Sequence, residues 1–141
     1  MITFNTQNTA MPDIREAEVS SWVRRVAKNY GKTVGDVNYI FVDDETILDI
    51  NRRFIGHDYY TDHIGFDYSK DDSLSGDIYI SLDTVRTNAE QFGAPYQEEL
   101  HRIIIHGLLH LCGLRDKTPE ERAEMQKAED KALSLQKEGT E

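Results

Sequence analysis

The sequence predicts a single α+β domain, in which a mixed sheet of about four strands packs against helices. Short apolar segments that are β-branched or alternate with period two, as strands do, occur at residues 2–5, 37–42, 64–68 and 78–80. Helical patterns separate and follow them without a regular strand–helix alternation. The 141 residues suffice for one hydrophobic core and are too few for two. We therefore treat residues 1–141 as one domain.

The amino-terminal half predicts two strands, each followed by a helix. After the strand at 2–5, apolar positions with helical spacing fall on one stripe, and Gly31 ends that helix. The second strand covers 37–42. Asp43 and the two acidic residues after it predict the start of a second helix that continues towards Phe54, because negative side chains stabilise a helix amino terminus.

The carboxyl-terminal half predicts two strands and then three helices. A turn signal at Ser75-Gly76 precedes the strand at 78–80. One helix covers residues 82–92, and a second begins at Pro95 and ends before Gly113. Thr118 and Glu121 form a capping-box pattern that marks the start of the last helix.

Charge and composition exclude several classes of protein. Lys and Arg number 16 against 26 Asp and Glu, a net charge of −10, which argues against coating duplex nucleic acid by charge alone. A single Cys excludes an internal disulfide framework. No apolar run is long enough to span a bilayer, and the amino terminus lacks the pattern of a signal peptide. We expect a cytoplasmic protein.

The segment at residues 106–116 predicts a metal site at the end of a core helix. His106 and His110 are four residues apart, so their imidazoles project from the same helix face. Gly113 lets the chain leave the helix, and Asp116 can then return to the same divalent ion. Three protein ligands leave one position for water, as in catalytic sites. His101 and Cys112 lie on other faces of the helix and are not expected to be ligands.

The same ligand spacing occurs in metzincin proteases, which makes a zinc metalloprotease one alternative function. Such an enzyme needs Glu directly after the first His as its general base, and this chain has Gly107 there. A second alternative is a non-catalytic assembly factor in which the ion only braces the helix end.

The segment at 106–116 also resembles the signature of the YbeY family of bacterial endoribonucleases. Further similarity, covering roughly two-thirds of the chain in the expected order, makes the combination specific. The residues that carry this further similarity are 50–54, Gly56, Asp58, Thr61, Asp62, Phe66, 75–81, Glu99, Leu100, Glu124 and Met125.

The resemblance implies a metal-dependent endoribonuclease that cleaves single-stranded RNA in ribosomal RNA processing. It implies an α+β fold and one Zn²⁺ per chain, or another divalent metal, held by His106, His110 and Asp116. The implied partners are ribosomal RNA and the ribosomal subunit or its proteins, with no membrane.

Two departures from the family pattern affect the expected chemistry. Asp116 stands where the family usually has His, and we expect this carboxylate to weaken the acidification of metal-bound water. Ile55 replaces a common basic residue, so Arg52 or Arg53 is the expected phosphate contact. The general base stays open between hydroxide on the metal, a ribose hydroxyl activated by the metal, and a carboxylate such as Asp62.

Overall fold

The computed structural model describes residues 1–56 and 62–139, which form a four-stranded mixed sheet with helices on both faces. This confirms the predicted α+β class. None of the helices in these residues is long and apolar enough to cross a membrane. The elements in chain order are β1 (Ile2–Gln7), α1 (Glu16–Asn29), β2 (Thr33–Val42), α2 (Asp44–Ile50), a π-helical segment (Asn51–Ile55), β3 (His63–Asp67), β4 (Ser73–Ser81), α3 (Leu82–Phe92), α4 (Tyr96–Leu111) and α5 (Pro119–Gly139).

The strand order in the sheet is β1-β2-β4-β3. The first three of these strands run parallel, and β3 pairs antiparallel with β4, where Gly65 lies opposite Ile78. Because β3 pairs only with β4 in the described sheet, it forms one of its edges.

Alternate residues of β2 enter two separate hydrophobic cores. Tyr39 and Phe41 belong to the larger core, which α1, α4 and α5 cover. Ile40 and Val42 belong to a smaller core on the opposite face, against α2. The buried Tyr39 hydroxyl donates to the Ile104 carbonyl at 3.1 Å and so ties the sheet to α4. This face of the sheet therefore supports the helix that carries both histidines.

Several predicted helix boundaries are confirmed by their capping contacts. At α5, Thr118 Oγ1 accepts from the Glu121 N–H at 3.1 Å, and Glu121 Oε1 accepts from the Thr118 N–H at 3.0 Å. Asp43 caps α2 by accepting from the Thr46 N–H at 2.9 Å. Gly93 follows α3 with a left-handed φ of 65°, which glycine adopts without strain.

The predicted turn at Ser75-Gly76 is wrong, since both residues lie inside β4. The chain reverses earlier, where Lys70 pairs with Ser73. Gly76 has a different role: a Cβ at this position would lie 2.5 Å from the Phe66 carbonyl oxygen of β3. This glycine allows two strands to approach closely, which a sequence pattern does not distinguish from a turn.

A second glycine, Gly107, lets α4 lie directly on β4. A Cβ at Gly107 would lie 2.9 Å from Cγ2 and 3.1 Å from Cδ1 of the fully buried Ile78. The γ methyl is held on a branched, stiff side chain and cannot move aside cheaply. The position of α4, which carries His106 and His110, over the sheet therefore depends on the missing side chain.

We expect Gly107→Ala to be less stable than Gly65→Ala by about 1–3 kcal/mol, the usual cost of overpacking a core. Gly65 is the matched control because a Cβ there meets nothing within 4 Å. Replacing Gly by Ala inside a helix or a strand stabilises the folded chain by about 0.5–1 kcal/mol in both variants. The difference between their free energies of unfolding therefore isolates the contact with Ile78. Urea unfolding of both variants measures it, and equal midpoints with equal slopes would contradict the packing argument.

Candidate metal centre

The structure brings His106, His110 and Asp116 together at the end of α4. Gly113, at φ 105°, turns the chain after the helix. The two Nε2 atoms are 3.1 Å apart, and Asp116 Oδ2 lies 3.1 Å from Nε2 of His110 and 3.3 Å from that of His106. A tetrahedral ion with bonds of about 2.0–2.1 Å separates neighbouring ligand atoms by roughly 3.3 Å. The three atoms therefore fit one face of a tetrahedral zinc-like site.

Oxygen acceptors at Nδ1 fix the orientation of both imidazoles. His106 Nδ1 lies 2.5 Å from Oε2 of the buried Glu129, and His110 Nδ1 lies 3.0 Å from the Leu114 carbonyl oxygen. With Nδ1 donating in each ring, Nε2 is the nitrogen that faces the common position. Arg102 in turn donates to Glu129 Oε1 at 3.0 Å. Such outer partners are typical of histidines that bind metals.

A third histidine, His63 of β3, lies beside the pair. One ring nitrogen from each of His63, His106 and His110 lies within 4.8 Å of the other two. The His63 ring stacks on His110 with centroids 5.6 Å apart and meets His106 edge-on at 4.7 Å. Its Nδ1 donates to Asp62 Oδ1 at 2.8 Å. The described residues therefore contain a cluster of three histidines that can hold a metal ion.

Sequence reasoning missed His63 and Glu129, although each carries a signal. On β3, Ile64 faces the smaller core against α2. Because successive side chains of a strand point to opposite faces, His63 points towards α4. On α5, Glu129 lies on the apolar stripe between Met125 and Ala132. A carboxylate on a buried stripe indicates a partner, which here is His106.

The two α4 histidines have opposite pKa shifts. Burial disfavours the charged form of His106, but the hydrogen bond and charge of Glu129 outweigh burial. The hydrogen bond and charge of Glu129, together with the charges of Asp62 and Asp116, therefore raise the pKa of His106. Burial, followed by the charge on His106, lowers the pKa of His110. A metal ion bound by His106 would compete with a proton there, so its affinity would fall as pH falls.

A cleft of about 570 Å³ is lined by His106 and Asp116 and also by Asp62, the predicted base. Burial opposes ionisation of Asp62, but the hydrogen bond and charge of His63 outweigh it, and the Asp62 pKa is lowered. Burial raises the pKa of Glu99 in the same cleft. Asp62 is thus the more readily ionised carboxylate. Residues that line the cleft include Asp62, Glu99, Arg102, His106, Asp116 and Arg122.

The two predicted arginines lie on the π-helical segment, where both side chains are exposed. Arg53 Nε pairs with Asp49 at 3.2 Å. The neighbouring Phe54 contacts Phe66, which packs on the α2 core, whereas α4 lies on the other face of the sheet. Arg52 and Arg53 therefore stay predictions as phosphate contacts. The Ile55 side chain, Asp58 and Thr61 lie outside the described residues.

Other positions near the helix end have structural roles. Gly107 faces Ile78, so a Glu there would meet the sheet instead of reaching a bound water. His101 makes an edge contact with Trp22, with ring centroids 5.9 Å apart. Cys112 packs half-buried against the core, and burial raises the pKa of its thiol to about 11. The protease alternative therefore lacks its base, and neither His101 nor Cys112 belongs to the described histidine cluster.

The fold and this site place the chain in a class of α+β proteins. In this class, a core helix carries two histidines, and a carboxylate from the following loop lies beside them, in an arrangement that can hold a metal ion. A family model described as Endoribonuclease YbeY matches residues 2–137. The chain belongs to the YbeY family.

Individual relatives agree over nearly the whole chain. It is 58% identical to Endoribonuclease YbeY of Bacteroides thetaiotaomicron, covering 95% of this chain and 98% of that protein. It is 45% identical to Endoribonuclease YbeY of Flavobacterium psychrophilum, covering 96% of each. The solution structure of TM1509 from Thermotoga maritima is similar, with a TM-score of 0.68, 26% identity, and coverage of 99% of this chain and 93% of that one.

Proposed function

We propose that this chain is a zinc-dependent endoribonuclease that cleaves single-stranded RNA in ribosomal RNA processing. The ion is held by His106, His110 and Asp116. The observation that carries the proposal is their ligand geometry, with His106 and Asp116 lining an open cleft. Family membership supports RNA as the substrate. Ribosomal RNA and ribosomal subunits are the proposed partners and the cytoplasm the proposed compartment, because ribosomal RNA is matured there.

The cleft offers groups for binding a phosphodiester and for activating the attacking oxygen. The ion, when bound, supplies Lewis acidity for a phosphoryl oxygen and lowers the pKa of water. Asp62 is an ionised carboxylate in the cleft and can accept a proton from the attacking oxygen. Arg122 donates to the neutral Lys117 carbonyl at 2.9 Å, so its charge can face a phosphate. Arg52 or Arg53 is the proposed further phosphate contact.

The acidic charge of the chain limits how RNA binds. With a net charge of −10, broad electrostatic capture of a polyanion is unfavourable. We therefore propose that a short single-stranded segment enters the cleft while the rest of the RNA is held by the ribosomal subunit.

Cleavage of matched RNA substrates tests the proposal. The zinc-loaded protein is incubated with an end-labelled single-stranded RNA, the same RNA in a duplex, and casein. We expect cuts within the single strand, slower cleavage of the duplex and intact casein, with activity lost on chelation and regained with Zn²⁺. Casein digestion would favour the protease. Intact RNA, together with unfolding on chelation, would favour the non-catalytic assembly factor.

We expect Asp116→His to retain zinc and to shift the pH profile of RNA cleavage towards lower pH. A carboxylate cancels part of the charge of a divalent ion, whereas an imidazole does not, so water is acidified more strongly in the variant. Asp116→Ala is the control and should bind zinc more weakly. Reduced zinc occupancy in Asp116→His would count against Asp116 as a ligand.

A further inference from the structure

We propose that His63 is a fourth protein ligand of the metal ion, which gives a site of three imidazoles and one carboxylate. The inference rests on the proposed metal site of His106, His110 and Asp116, and it adds a ligand from a different element, the edge strand β3. Its ring nitrogen lies within 4.8 Å of those of both α4 histidines. This limit includes the roughly 3.3 Å edge of a zinc tetrahedron.

The orientation of His63 repeats that of the other two histidines. Its Nδ1 donates to the Asp62 carboxylate at 2.8 Å, as Nδ1 of His106 does to Glu129 and Nδ1 of His110 does to a backbone carbonyl. A carboxylate at Nδ1 fixes the tautomer with a lone pair on Nε2 and makes that nitrogen a stronger ligand.

A fourth protein ligand has a consequence for access to the ion. Four protein ligands complete a tetrahedron, and substrate then reaches the ion only if coordination expands to five or one ligand leaves. His63 is the ligand best placed to leave, because it lies on an edge strand whereas His106 and His110 lie on one core helix. Water or a phosphate would therefore bind the ion only after His63 has left it or after the coordination has expanded to five.

Asp62 provides the competing explanation, in which His63 only positions that carboxylate in the cleft. An Asn at position 63 separates the two roles. Its amide nitrogen mimics Nδ1 and can keep the bond to Asp62, but it has no equivalent of the distal nitrogen. His63→Ala removes both groups. His101→Ala is the matched control, since His101 is a partly buried histidine that contacts Trp22 instead of the cluster.

The test measures metal binding without RNA. Zn²⁺ affinity is determined by competition with a chromophoric chelator, and Co²⁺ serves as the spectroscopic probe because Zn²⁺ is d¹⁰. We expect His63→Asn and His63→Ala each to weaken Zn²⁺ binding at least about tenfold, since even outer partners are worth about 10–100-fold. The cobalt spectrum should become sensitive to azide in both variants, and added imidazole should restore the original spectrum of His63→Ala.

Affinity within twofold of the parent in His63→Asn, with an unchanged cobalt spectrum, would overturn the proposal. If only His63→Ala loses affinity, His63 acts through Asp62 and the proposal is also wrong. Because the readout is metal binding, an absence of RNA cleavage would contradict the proposed function and leave this result standing. Should His63→Ala fail to fold, His63→Asn decides the question.

Discussion

A His110→Ala variant should purify without a stoichiometric divalent ion, whereas the parent protein should carry one ion per chain. The change removes a nitrogen that lies 3.1 Å from both His106 Nε2 and Asp116 Oδ2. Loss of an outer partner costs about 10–100-fold in metal affinity, and loss of a direct ligand should cost more. Elemental analysis of both proteins measures the occupancy. RNA cleavage should fall to the level of the chelated parent.

A control separates metal loss from damage to α4. His101→Ala makes the same change on the same helix, but His101 faces Trp22. It should keep full metal occupancy. His110→Ala also breaks the contact with the Leu114 carbonyl, worth about 1 kcal/mol, so circular dichroism must show that it is folded. A folded His110→Ala protein that binds the ion as tightly as the parent would refute His106, His110 and Asp116 as the metal site.

The proximity of His106, His110 and Asp116 could be predicted because its signal is local. Helical geometry alone puts His106 and His110 on one face, and a glycine after the helix allows Asp116 to return. His63 could not be placed in this way, because it comes from another strand and reaches these three residues only through the packing of α4 on the sheet. That packing depends on the missing side chain of Gly107. In the sequence alone, this glycine indicates only that a catalytic base is absent.

The fold shows the same division between local and long-range information. Helix boundaries were predictable where a capping residue marks the end of the helix, as at Thr118 and Gly93. The error at Ser75-Gly76 arose because a glycine forced by a neighbouring strand has the same sequence pattern as a turn glycine. The order in which the strands pair was not predicted either, since it depends on contacts between distant residues.

Glu129→Gln should weaken Zn²⁺ binding by about 10–100-fold and leave the fold intact. The buried Glu129 carboxylate contacts His106 Nδ1 through one oxygen and Arg102 through the other. An amide has no negative charge to raise the basicity of His106. Its nitrogen can also face the ring and favour the wrong tautomer. Competition with a chromophoric chelator, at a fixed pH where the parent is saturated, measures the loss.

Asp130→Asn is the matched control, because Asp130 lies next to Glu129 and binds the same Arg102 at 2.8 Å. The two variants lose the same charge and the same kind of contact to Arg102, but only Glu129 contacts the proposed metal ligand His106. Asp130 is exposed, so its ion pair contributes little to stability. Zinc affinity in Asp130→Asn should stay within about twofold of the parent. Equal losses in both variants would mean that the charge of the α5 surface acts on the ion generally, and that Glu129 has no specific role in orienting His106.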